Sequence, residues 1–140
     1  MSDNVTRLVR FFESFGPSDL GRLGSFYTED AYFKDPFNEV RGLAEVRRVY
    51  AHMFEALDTP HFAVTARVGN AQECFLVWDF HFRFKGKPAP QVVRGASHLK
   101  FAPDGRVQWH RDYWDAAEEL YEKIPLLGGF MRWLKKRAAG

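Results

Sequence analysis

Apolar residues in the first part of the chain recur at helical spacing. Val5, Leu8, Val9, Phe11, Phe12 and Phe15 share one face, Asp3 or Asn4 is placed to cap it, and Gly16-Pro17 ends it. Ser18 or Asp19 then caps a second predicted helix, Leu20 to Tyr27, which buries Leu20, Leu23, Phe26 and Tyr27. A tight corner at Glu29-Asp30 leads into a short strand, Ala31 to Lys34, and positions 38–42 form a loop. Leu43 to Leu57 reads as a third helix, with Leu43, Val46, Val49, Tyr50, Met53, Phe54 and Leu57 opposite Glu45, Arg47, Arg48 and Glu55.

After Asp58-Thr59-Pro60 the period drops to two. Phe62, Val64, Ala66 and Val68 line one face of a strand. In the next, Cys74, Leu76, Trp78, Phe80, Phe82 and Phe84 alternate with Asp79, His81 and Arg83. Gln91 to Phe101, a turn at Pro103-Asp104-Gly105 and Arg106 to Trp114 complete the meander. The pattern predicts an α+β domain over residues 1–140, with three N-terminal helices packed on one face of a curved antiparallel sheet. The core runs over 5–114, and a C-terminal helical extension over 115–137 opens with a capping box at Asp115 and Glu118. That extension sets Leu126, Phe130 and Trp133 against basic residues. It is expected to pack over the rim of the domain, onto a second subunit, or along an anionic membrane surface.

Composition changes this picture in one respect. Aromatics make up 16% of the chain, enough to fill a core and also to wall a pocket for a flat apolar ligand. A net charge of +2 offers nothing to nucleic acid. Cys74 is the only cysteine, so no internal disulfide can form and a reducing, cytoplasmic setting is expected. No stretch approaches the roughly 18 apolar residues of a membrane span, so no stable membrane insertion is expected.

Asp35 stands on a stiff corner, because Pro36 lacks an N–H and holds the residue before it extended. Its company is Phe33, Pro36 and Phe37. In that setting an aspartate is either a turn cap for nearby N–H groups or a carboxylate poised for chemistry.

The segment around it carries a resemblance. Tyr27, Asp30, Ala31, Asp35, Pro36 and Phe37, then Gly42 and Tyr50, then Phe101 to Trp114, a hairpin ending in Tyr113-Trp114, match the order and spacing of the ketosteroid isomerase family. The chain thus resembles ketosteroid isomerase-like and SnoaL-like members of the nuclear transport factor 2-like superfamily over about residues 5–114. The resemblance implies a cone-shaped, cystatin-like fold and a small apolar ligand, steroid- or polyketide-like. It also implies an isomerase- or cyclase-type reaction in which an aspartate moves a proton next to a carbonyl. Asp35 falls at the position of that base. The family's oxyanion donors fall on Phe11 and Ser97, so efficient isomerisation of a steroid would need Tyr50, Ser97 or His110 as the donor.

Aligned on the pocket-facing position of Trp114, strand parity turns His110 and Asp112 inward, and Ser97, Leu99 and Phe101 on the strand before. Trp78, Phe80 and Phe82 add apolar wall, and Tyr27 and Tyr50 reach in from helices. The expected catalytic set is Asp35, His110 and Asp112, with Tyr27, Tyr50, Trp78, Phe80, Ser97 and Trp114 binding substrate. The alternative is that His110 and Asp112 are satisfied core polar groups. The chain would then be a non-catalytic binding or dimerisation module. Epoxide hydrolysis needs two inward acids bracketing a basic residue, and Arg111 points outward. No cofactor and no metal are expected: His81 and His98, which parity lets meet on the outer face, have no third ligand. The outer sheet face, with Asp79, His81, Arg83, Arg94, Arg111 and Tyr113, is the expected homodimer surface.

Overall fold

A computed structural model describes residues 3–119, 133 and 136–138. Helix α1 (Asp3–Glu13) buries Val5, Leu8, Val9, Phe11 and Phe12, the face its spacing marks out. The second predicted helix is instead a 3-10 segment, Pro17–Ser25. Asp19 closes its start by accepting the Gly16 N–H at 2.9 Å. Gly21 and Gly24 in so short a run weaken any continuation as α-helix.

The chain enters strand β1 (Tyr27–Lys34) at Tyr27, so that tyrosine belongs to the sheet rather than to a helix. The expected corner at Glu29-Asp30 appears as a break in register inside β1, between Tyr27 and Tyr32. Residues expected in a loop form a short edge strand, β2 (Glu39–Arg41), followed by helix α2 (Leu43–Ala56). Gly42, at φ 103°, makes that junction in a backbone region open to glycine.

Strand β3 (Leu57–Gly69) follows α2 without a loop. Its register breaks between Asp58 and His61, where Pro60 cannot donate to the ladder. Strands β4 (Glu73–Phe84), β5 (Pro90–Phe101) and β6 (Val107–Tyr113) continue as antiparallel neighbours. The six-stranded sheet runs β2-β1-β6-β5-β4-β3, and β1 joins β6 in parallel, the one departure from antiparallel pairing among the described residues. A short helix, α3 (Ala116–Glu119), opens as predicted, with the Glu118 N–H on the Asp115 carboxylate at 3.1 Å. Apart from α3 and residues 133 and 136–138, the predicted C-terminal extension lies outside the described residues.

The helices cover the inner face of the sheet. Phe11 stacks on Phe26 at 3.9 Å, Phe15 meets Tyr50 at 4.9 Å, and Phe62 stacks on Phe80 at 4.5 Å. Among the described residues no helix is long and apolar enough to cross a membrane.

Candidate functional site

Alternation along β6 sends His110 and Asp112 to the inner face, with side chains 3% and 15% exposed. Register supplies their partners. Asp112 lies opposite Ser97 on β5, Ser97 opposite Leu76 on β4, and His110 opposite Phe33 on β1. Neighbouring cross-strand side chains stand close enough for direct contact. A polar chain results, threaded through aromatic packing.

At one end the Trp78 indole N–H donates to Ser97 Oγ at 2.9 Å. Ser97 donates to Asp112 Oδ1 at 2.5 Å, and His110 Nε2 lies 2.6 Å from the same oxygen. The other imidazole nitrogen, Nδ1, is 2.8 Å from the Tyr27 hydroxyl, and that hydroxyl is 2.9 Å from the Tyr50 hydroxyl. No described residue hydrogen-bonds Asp112 Oδ2.

The imidazole is packed on several sides. Tyr27 stacks nearly parallel to it at 5.9 Å, Phe33 meets it edge-on at 4.8 Å, and Phe12 does so at 6.0 Å. Burial pushes the pKa values of Tyr27 and Tyr50 well above the ordinary phenol value, and the negative charge of Asp112 adds to both shifts. Both phenols thus hold their protons at neutral pH and can donate.

Two spaces meet this chain. Phe12, Tyr50, Phe62, Val64, Leu76, Trp78, Ser97, His110 and Asp112 line an inner hollow of about 20 Å³, room for about one water-sized group. Lys34, Asp35, Pro36, Arg111, Asp112, Tyr113, Trp114 and Asp115 line a cleft of about 570 Å³, within the usual range for small-molecule sites. Asp112 belongs to both.

The nine expected site residues divide accordingly. Tyr27, Tyr50, Trp78, Ser97, His110 and Asp112 form the hydrogen-bonded chain. Phe80 stands behind it, packed on Phe62. Trp114 is in the outer cleft, edge-on to Phe37 at 5.5 Å. Asp35 is in the cleft too, but its Oδ1 accepts the N–H groups of Phe37 and Asn38 at 2.8 and 2.7 Å and the Asn38 amide at 3.1 Å. The turn it starts occupies that carboxylate, the cap role open to an aspartate before proline.

Phe62, Val64 and Leu76 carry the right strand parity for the hollow and Phe12 lies on the buried face of α1, but nothing in their spacing separates hollow lining from plain core. On the outer face His81 lies opposite His61, with rings 6.3 Å apart, rather than opposite His98, which sits 2.7 Å from Glu73 Oε1. Among the described residues no three His, Cys, Asp or Glu side chains converge as a metal set.

Comparison with known proteins agrees with this architecture. The family model for the SnoaL-like domain matches residues 8–110. A protein from Shewanella putrefaciens CN-32, named as a candidate SnoaL-like polyketide cyclase, superposes with a TM-score of 0.74 at 17% identity, over 90% of this chain and 98% of that one. A protein with a ketosteroid isomerase-like fold from Catenulispora acidiphila DSM 44928, solved with trimethylamine, gives 0.72 at 16% identity, over 86% and 91%. An M. tuberculosis LEH-like epoxide hydrolase gives 0.65 at 13% identity, over 83% of each chain. At these identities the likeness is one of fold. No curated protein matches the sequence at a significant level. By the family match, this chain belongs to the SnoaL-like domain family.

Proposed function

We propose that the chain is an enzyme that moves a proton next to the carbonyl of an apolar, steroid- or polyketide-like substrate, with Asp112 as general base. The observation that carries the reading is the oxygen left over: Asp112 Oδ1 is held by Ser97 and His110, while Oδ2 has no partner among the described residues. Two donors on one oxygen fix the carboxylate and leave the other oxygen aimed by the same contacts. The body of the ligand lies in the cleft against Pro36 and Trp114. Its carbonyl oxygen enters the small hollow, which takes a group of that size and little more.

The base role expected of Asp35 passes in this reading to Asp112, and Asp35 shapes the cleft as a turn residue. A non-catalytic binding module is favoured by one observation, the commitment of Asp35 to its turn. The two readings part on catalysis. Solvent-deuterium incorporation next to the carbonyl of cyclohexanone, and isomerisation of a steroid with a 3-keto group and an unconjugated 5-ene, are the probes. Enzyme-dependent exchange or isomerisation supports the enzyme. Binding of both ketones without either reaction supports the module.

The domain also carries a self-docking face. Val68, Phe75, Val77 and Tyr113, 45 to 69% exposed, stand in two adjacent cross-strand rows on the outer side of the sheet. Arg94 with Asp79 and Glu119 flanks one side, and Glu73 with Lys100 flanks the other. Each flank holds both signs, the arrangement that a two-fold contact between identical faces needs. The partner proposed for this face is a second copy of the chain, in a cytoplasmic setting that suits the lone thiol of Cys74.

A further inference from the structure

Two cations stand at the mouth of the outer cleft. Lys34 ends β1 and Arg111 lies opposite it on β6, a register pair on strands about 5 Å apart. Both line the cleft, together with Pro36, Trp114 and the aspartates Asp35, Asp112 and Asp115. Alternation sets Lys34 and Arg111 on the outer side of the sheet, since Phe33, His110 and Asp112 point inward. The cleft therefore reaches round the end of these two strands, from the Asp112 carboxylate on one side to the two cations on the other.

The acids of the cleft are engaged elsewhere. Asp35 accepts the Phe37 and Asn38 N–H groups, Asp115 accepts that of Glu118 at 3.1 Å, and Asp112 is held by Ser97 and His110. The carboxylate that faces the cations is Glu39 on β2, 3.7 Å from the Lys34 ammonium and already taking the Tyr32 hydroxyl at 2.6 Å. The Tyr32 hydrogen bond, then the charges of Lys34 and Arg111, hold the Glu39 carboxyl below the usual carboxylate range. One acid thus serves two cations, and the outer side of the cleft carries an excess of positive charge. Arg111 is also well presented: its guanidinium lies over the Tyr113 ring at 4.7 Å. A planar guanidinium stacked on a ring directs its N–H groups outward around its edge, where a carboxylate can take two of them at once.

We infer that the substrate is an apolar keto acid: its carboxylate is received by Arg111 and Lys34 at the cleft mouth, its body lies on Pro36 and Trp114, and its ketone reaches Asp112. The inference rests on the proposed placement of the ligand in this cleft, and adds to it the charge of the ligand and the order of its groups. With a ketone at one end and a carboxylate at the other, the molecule has one direction of entry. The hollow refuses the acid end, because a carboxylate there would set a second negative charge beside Asp112 in an apolar surrounding. The carbonyl enters instead, and the acid stays outside.

The two cations contribute differently. The guanidinium fork gives the carboxylate two parallel N–H donors and so sets its plane, while the Lys34 ammonium adds a point charge. On binding, Lys34 exchanges its long contact with Glu39 for the ligand, and Glu39 keeps the Tyr32 hydroxyl. The cleft mouth is open to water, so the gain is about 10-fold in affinity, well short of what a buried charge pair would give, and salt weakens it.

Two steroids that differ only in charge test this: a 3-keto-5-ene steroid carrying a carboxylic acid at carbon 17, far from the ketone, and its methyl ester. Equilibrium dialysis at neutral pH and low salt gives the affinity of each for wild type, Arg111→Met and Lys34→Met. Wild type should bind the acid about 10-fold more tightly than the ester, and that ratio should fall toward unity in both variants and in wild type at high salt. Equal affinity for acid and ester in wild type, failure of the acid to bind at all, or a preference that both variants keep overturns the inference. Isomerisation of the same two compounds tells this failure from failure of the base. A preference for the acid, lost in the variants, without turnover of either compound overturns Asp112 as base and leaves the carboxylate site standing. Turnover of both compounds with the same KM overturns the carboxylate site and leaves Asp112 in place.

Discussion

Trp78 lays its indole directly across Gly95, its cross-strand partner: a Cβ placed on Gly95 would come within 2.5 Å of the ring. The same indole donates to Ser97, so the missing side chain at position 95 is what lets the polar chain begin where it does. Gly95→Ala should displace the ring, break its bond to Ser97 and destabilise the fold by about 1–3 kcal/mol, the usual cost of overpacking a core. Chemical denaturation followed by tryptophan fluorescence measures this. A midpoint unchanged from wild type would mean the ring has another seat.

Asp35 and Asp112 both lie in the cleft and differ in what holds them. Asp35→Ala removes the acceptor for two backbone N–H groups, so it should cost about 1–2 kcal/mol of stability. Its kcat should fall by less than about 10-fold, against the factor of about 100 to 10,000 typical for loss of a general base. Side-by-side turnover of Asp35→Ala and Asp112→Asn checks the order. A larger loss in Asp35→Ala would return the base to the turn.

Alkaline pH should loosen the fold through buried groups that resist ionising. Burial pushes the Cys74 thiol up from 9.0 to about 11 and raises Tyr27 and Tyr50 in the same sense. A folded-state value above the unfolded one favours folding below the unfolded value, and that contribution is lost as pH climbs through the folded one. Denaturant midpoints should therefore hold below about pH 9 and fall between pH 9 and 11. In the same window thiol reagents should label Cys74 only as the protein unfolds. Rapid labelling of folded protein at pH 8 would contradict its burial.

The exposed rows on the outer sheet face make a prediction about assembly. Wild-type protein should run as a dimer in light scattering at micromolar concentration, and Val77→Asp, which sets a charge in the middle of the apolar rows, as a folded monomer. A wild-type monomer would remove the second copy from the account.

How much of this the sequence discloses depends on whether local rules decide it. Strict alternation sorts the side chains of β4, β5 and β6 between two faces, and the resemblance at Trp114 and Ser97 marks the face that groups Trp78, Ser97, His110 and Asp112 as the inner one. Alternation does not reach Tyr27, because the register break inside β1 lets one strand start at Tyr27 and resume its pairing at Tyr32. The parallel pairing of β1 with β6 joins segments far apart in sequence, and no neighbouring residue records it. Asp35 illustrates a different limit. Its residue type and its proline neighbour allow both a base and a turn cap, and the sequence does not show that the Phe37 and Asn38 N–H groups lie within reach of its carboxylate.

Exchange of deuterium from solvent into the position next to a ketone, measured by NMR for wild type and Asp112→Asn on the same steroid probe, bears on the central claim most directly. Wild type should catalyse the exchange, and the variant should be slower by about 100-fold or more while staying folded. Equal exchange in the two proteins would show that Asp112 Oδ2 is not where the proton goes.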